Sequence, residues 1–368
     1  MFAAMLDSEE DGWWEAVNPS SDSEGEGSPG FCGTDCFDQL PDSLLVLILN
    51  KVGDIKVLGR CCAVSKRFQA LAAHVEDVTV KVDCVISGED CNLSGKSKGF
   101  LGQLMRLVFG SFVRPLQLLQ HFLGPRKSAV LAEVSHHSPS EVLKSFKVIR
   151  HLRIELPGGE LGIEEGVLLK WKAEFGSTLE SCVILGAASM VEADGKWPAA
   201  KELEEPEEGG DGGCIPDSFY TDGGLKKRVV WTISSLIAAS ARHYLLQQII
   251  SDHLTLETLV LTDADDQGLL CMSKRQLHDF RDKPVAASAS SSRTQVPDLN
   301  MKLWYAPSLS LPNGCSMKGV TLVAIRPSER PTTKEDDGFI ARAFGEPFKT
   351  AACLLARRRT YLLEMNSF

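Results

Sequence analysis

Apolar residues recur at helical spacing through the stretch from Phe37 to Phe68. Leu44, Leu45, Leu47 and Ile48, with Val52 one turn on, predict a helix opened by Leu40 and Pro41. Proline at a first helical position sacrifices no intrahelical hydrogen bond. Gly53 is placed to stop that helix, and Asp54 to cap a second with Val57, Leu58, Cys61 and Cys62 on its apolar face. Ser65 then caps a third helix carrying Phe68, Leu71 and Ala72. Fully burying a Leu or Phe is worth about 1.5–3 kcal/mol, and three such short helices cannot bury all these side chains among themselves. The pattern therefore demands a partner, either the rest of the chain or another protein.

Beyond residue 76 the period changes. Val78, Val80, Val82 and Val85 predict a strand, followed by a Gly/Ser/Lys loop over 87–99 and two helices within 100–123. Ser138, Pro139 and Glu141 form a capping box for a helix running to about Arg150. Strands are expected over 152–156, 168–175, 256–261, 301–305 and 320–325, a long central helix over 231–250, and shorter helices over 274–282 and 348–358. Leu152-x-Ile154-x-Leu156, Leu179-x-x-Cys182-x-Ile184-Leu185 and Leu256-x-x-Leu259-x-Leu261 share the short strand pattern of leucine-rich repeats. Their spacing is irregular, so the expectation is an α/β protein: an N-terminal three-helix unit and an irregular, leucine-rich-repeat-like C-terminal α/β domain.

Charge divides the chain further. The net charge is −10, but residues 1–36 carry nine acidic and no basic residues, and residues 192–211 carry a net −6, leaving +5 for the remainder. The expected organisation is a disordered acidic tail (1–36), the helical unit (37–83), a loop and helical connector (84–139) and an α/β domain (140–368). That domain contains an acidic insertion over 192–213 and a polar linker over 283–296. No dense basic stripe favours nucleic acid. The apolar run 100–123 is broken by Arg106, Arg114 and Pro115, so no membrane span is expected. Eleven irregularly spaced cysteines point to reduced thiols, and Cys32 and Cys36 lack a second pair at zinc spacing. The basic runs Lys226-Lys227-Arg228 and Arg357-Arg358-Arg359 suit either solvated helix ends or short nuclear or phosphate contacts.

Catalytic patterns are missing. There is no G-x-S-x-G elbow, Walker loop or strand-linked G-x-G-x-x-G, and carboxylates cluster in the two acidic segments. No cofactor and no metal is expected, and no enzyme in the usual sense.

The order Leu-Pro-Asp, Leu-Leu, Ile-Leu, Asp, Leu-x-Arg-Cys and Val-Ser-Lys-Arg-Phe over 40–68 resembles the F-box, a module that docks on Skp-type adaptors in Skp–cullin–F-box ubiquitin ligases. Residues 145–187, 229–246, 259–263 and 302–312 extend the likeness to plant proteins with one F-box and a distinctive C-terminal region, among them the auxin-up-regulated F-box proteins. The resemblance implies that Leu40, Pro41, Leu44, Ile48, Leu58, Cys61, Val64, Ser65 and Phe68 form or support the adaptor face. Phe68 stands where many F-boxes have Trp. It further implies a substrate-receptor subunit that binds the adaptor, and through it a cullin, and recruits a target protein in the nucleus and cytoplasm. Two other readings remain open at this point: a non-degradative scaffold, and a small-ligand sensor built around Trp171, His243 and Trp304.

Overall fold

The computed structural model describes residues 36–82, 143–158, 161, 166–191, 215–282, 294, 296–328 and 336–365. The expected helices within 100–123, the capping box at 138–141, Val85, Cys32 and most of the acidic segments lie outside these residues.

Three helices come first: α1 (Asp42–Val52), α2 (Ile55–Val64) and α3 (Lys66–Ala72). Pro41 is the N-cap of α1 rather than its first helical residue, and its carbonyl accepts from the Leu44 and Leu45 amides. Gly53 closes α1 at φ 61°, a left-handed turn that favours glycine. The Asp54 carboxylate caps α2 by accepting from the Lys56 and Val57 amides, and the Ser65 hydroxyl caps α3 by accepting from Phe68 N.

The remainder is built on a ten-stranded mixed sheet. Its strands are β1 (Asp77–Lys81), β2 (His151–Leu156), β3 (Leu168–Phe175), β4 (Leu179–Ala187), β5 (Ser189–Val191), β6 (Thr258–Asp263), β7 (Gly268–Ser273), β8 (Leu299–Ser310), β9 (Ser316–Pro327) and β10 (Tyr361–Met365). The order is β1-β2-β6-β7-β3-β4-β9-β8-β10, with β5 also paired to β9. β1, β2 and β6 form a parallel run that carries two of the three Leu-rich patterns, while β4, the third, is antiparallel to both of its neighbours β3 and β9. The sheet is thus mixed and irregular, not a regular horseshoe.

Alternation along β4 shows how the two faces are covered. Cys182 and Ile184 join one hydrophobic cluster and Val183 and Leu185 the other, as a period of two requires. The first cluster includes α4 (Gly224–Asp252), α5 (Lys274–Asp282) and, continuously, Leu45, Leu49 and Leu58 of α1 and α2. The second is covered by α6 (Asp336–Ala341) and α7 (Phe348–Ala356).

Several elements differ from the pattern-based expectation. Residues 144–150 do not continue a helix. Lys147 N donates to Ala73 O, and the Arg150 and His151 amides donate to Glu76 O, so this backbone is committed to the chain ahead of β1. α4 starts seven residues before Trp231, and β7, β10 and α6 were not foreseen. The end of the expected polar linker is anchored: Thr294 and Val296 are buried, and Thr294 N donates to Ser240 O. Lys226-Lys227-Arg228 is not one exposed basic run either. Arg228 is buried over the rings of Phe219 and Tyr305, and its guanidinium donates to Thr321 Oγ1 and Phe219 O.

Candidate protein-docking face

The helical unit sorts its apolar residues onto two sides. Leu45 and Leu49, one turn apart on α1, are buried against the sheet-side core together with Ile55 and Leu58 of α2. Leu44, Leu47 and Ile48 lie on the other side of α1 and remain 46%, 55% and 44% exposed. Phe37, Val52, Val57 and Val64 are also exposed, the last at 72%. Seven large apolar side chains are thus in water within 28 residues, which makes this unit the candidate for protein docking.

The face is braced by polar contacts at its rim. Arg67 Nε and Nη2 donate to Asp42 Oδ1 at 2.9 and 2.7 Å, while Nη1 and Nη2 donate to the carbonyls of Phe37 and Leu40. One guanidinium therefore ties the entry to α1 onto α3. Phe37 and Phe68 meet edge to face with centroids 5.8 Å apart. Asn50 Oδ1 accepts from the Glu76 and Asp77 amides, fixing α1 against the start of β1.

Of the residues expected at this face, Leu44, Ile48, Val64, Pro41 and Ser65 are exposed, and Leu40, Cys61 and Phe68 are half-buried. Leu58 is fully buried and presents no surface, so within that set its place is beneath the face. Leu47, Val52, Val57 and Phe37 join the face without having been singled out. For Leu47 and Val52 the signal is in the sequence, because α1 is apolar on more than one side and a helix with a single partner has no use for that.

Next to α3 lies a cleft of about 360 Å³ lined by Cys62, Lys66, Gln69, Ala73, Ser145 and Lys147, among others. Burial, reinforced by neighbouring Cys61, pushes the Cys62 thiol up, which disfavours the nucleophilic thiolate. Trp171, His243 and Trp304 do not converge on a ligand site. All three are buried, and Trp171 and Trp304 belong to the clusters on opposite faces of the sheet. His243 is tied by Thr294 Oγ1 at Nδ1 and Gly176 O at Nε2, and it stacks on Phe175. Its contacts are those of a core residue. No group of three or more metal-ligating side chains occurs among the described residues, and no described helix is long and apolar enough to cross a membrane.

Comparison with known proteins agrees with the helical unit. The chain is 54% identical over 371 residues to the Arabidopsis thaliana protein named F-box protein At5g46170, covering 91% of this chain and 94% of that one. It is 53% identical over 361 residues to F-box protein At1g30200 of the same plant, with the same coverage. F-box protein AUF1, also from Arabidopsis thaliana, is 36% identical over 347 residues, covering 91% of this chain and 100% of that one. No family model and no solved structure matches the sequence. The relatives align along nearly their whole length, across the helical unit and the sheet alike, and on that ground the chain belongs to the F-box proteins, in the group that includes the auxin up-regulated F-box proteins.

Proposed function

We propose that this protein is the substrate-receptor subunit of a Skp–cullin–F-box ubiquitin ligase. The face of α1 and α2 docks on a Skp-type adaptor, which joins the protein to a cullin, and the sheet domain over 140–368 holds a target protein for ubiquitination and degradation. The observation that carries this reading is the exposure of Leu44, Leu47 and Ile48 beside a fully buried Leu45 and Leu49. A helix built this way has one side for its own core and one for a partner. Closing such a face removes apolar surface from water at roughly 25 cal/mol per Å².

No chemical step is assigned to this chain. Catalysis comes from the recruited conjugating enzyme, and the receptor contributes by raising the local concentration of a target lysine. F-box proteins as a class work this way, and the family membership supports extending the role to this chain. The site assignment is Leu40, Pro41, Leu44, Ile48, Cys61, Val64, Ser65 and Phe68 at the adaptor face, supported by Leu58 from below. We place the protein in the nucleus and cytoplasm, where a fluorescent fusion would locate it.

Co-purification of the full chain with a Skp-type adaptor tests the docking half. Binding is expected for the native protein and its loss for a Leu40→Ala/Pro41→Ala double variant. Target half-lives compared with and without α1–α3 test the degradative half. Unchanged half-lives would make the protein a scaffold.

A further inference from the structure

The two edges of the sheet are finished differently. At one end β1 is closed off by the helical unit: Thr79 N donates to Gly53 O, and Asp54 bridges to Thr79. At the other end β10 pairs only with β8, and no described strand lies on its outer side. Alternate residues of an antiparallel edge strand direct their N–H and C=O groups outward, and proteins commonly blunt such an edge with lysine, proline or a bulge. β10 reads Tyr-Leu-Leu-Glu-Met, without proline or lysine, and pairs with β8 in unbroken register from Tyr361 to Met365. Leu362 and Leu363, on opposite faces, are 74% and 43% exposed.

Three arginines, Arg357, Arg358 and Arg359, lead into this strand from the end of α7. The helix dipole accounts for one cation at a helix C-terminus but not for a run of three. They make no ion pair among the described residues, and Arg359 leans only toward the Tyr361 ring, at 6.0 Å from its centroid. An open, apolar strand edge with an unneutralised cationic end matches an extended segment whose own end is acidic.

We infer that the outer edge of β10 receives an extended segment of the target protein by strand addition, with the acidic end of that segment against Arg357–Arg359. Main-chain hydrogen bonds supply affinity, and Leu362 and Leu363 offer an apolar neighbour on each face of the added strand. The arginines precede β10, so an antiparallel segment carries its acidic residues at its C-terminal end. The edge lies eight strand spacings from β1, roughly 38 Å at about 4.8 Å each, which leaves the adaptor face clear. The inference rests on the substrate-receptor reading and names where that receptor binds.

The test uses the full chain bound to its Skp-type adaptor and a labelled peptide with a Thr-Val-Thr-Val-Thr core followed by three glutamates, read by fluorescence anisotropy. Saturable binding is expected, weakened at least about ten-fold by N-methylating alternate peptide amides or by Arg357→Ser/Arg358→Ser/Arg359→Ser. Equal binding of the N-methylated peptide would reduce the effect to charge and overturn the edge assignment, as would no binding at all. Tighter competition by a peptide of this chain's residues 7–26 would assign the edge to its own acidic tail. Concentration-dependent dimerisation that the probe cannot displace would assign it to a second copy. Either result overturns docking of the target. The triple variant is expected to retain its adaptor, so failure here is separable from failure of the receptor reading, which would show as no adaptor binding by the native chain.

Discussion

Arg67 on α3 holds Asp42 at the head of α1, with two of its nitrogens on a single carboxylate oxygen at 2.9 and 2.7 Å. The same guanidinium also donates to the carbonyls of Phe37 and Leu40. The pair is largely solvated, with the Asp42 side chain 66% exposed, so its effect on global stability is small. Its effect on the placement of Phe37, Leu40 and Pro41 is not. Arg67→Ala is expected to cost about 1 kcal/mol or less in urea unfolding while weakening adaptor binding about ten-fold. Arg67→Lys will not restore that binding, because an ammonium lacks the fork that spans three acceptors. Calorimetric titration of the adaptor into each variant checks both statements.

His243 gives the fold a pH dependence. Gly176 O can only accept, so Nε2 carries the proton and Thr294 Oγ1 donates to Nδ1. Burial pushes the imidazole down to about 3, against a retained hydrogen bond that raises it. The folded value lies below the ordinary 6.5, so the unfolded chain takes up this proton first. The contribution is whole above pH 6.5 and is lost as the pH falls toward 3. Between pH 8 and pH 5 this one residue removes about 2 kcal/mol. His243→Gln is expected to lower stability at pH 7 and to flatten the decline from pH 7 to 5, as read by urea midpoints across that range. An unchanged slope would place the acid sensitivity elsewhere.

Arg242 and Asp263 form a buried ion pair at 2.8 Å between α4 and the end of β6, with side chains 1% and 4% exposed. Asp263 also accepts from the Gln267 and Gly268 amides, while Arg242 donates to Gly268 O and lies over the Trp171 ring. Gly268 is needed at that point, because a Cβ there would run into the Trp171 indole. Neutralising the carboxylate weakens a hydrogen-bonded charge pair in the interior, so Asp263→Asn is expected to cost about 3–5 kcal/mol. A loss below about 1 kcal/mol in urea unfolding would mean that water reaches the guanidinium.

Much of this architecture was legible in the residues. The caps Asp54 and Ser65, the stop at Gly53, the buried face Leu169-Trp171-Ala173-Phe175 of β3 and the central helix follow from local pattern alone. The candidate face was legible as a surplus of apolar residues, but not its division. Leu44 and Leu45 are chemically identical neighbours, and only the packing of α1 on α2, α3 and β1 decides which one reaches the core. β7 and β10 were missed because Gly-Leu-Leu-Cys-Met-Ser and Tyr-Leu-Leu-Glu-Met have no period-two pattern to announce them, and their strand character comes from the neighbours they pair with. Leu143, Phe146 and Ile149 have helix-like spacing yet sit largely in turn and coil, where bonds to residues 73–76 outcompete a helix.

Adaptor affinity of a surface-only variant separates docking by α1 from folding of the helical unit. Leu44→Asp/Ile48→Asp changes two side chains that the fold leaves in water, so its thermal midpoint should stay within a few degrees of the native protein. Leu45→Ala, one residue away, should instead cost about 2–5 kcal/mol by opening a core cavity. With the fold intact, binding of a Skp-type adaptor to the double variant is expected to drop at least about a hundred-fold. A folded double variant that binds the adaptor as tightly as the native protein would show that α1 is not the docking element.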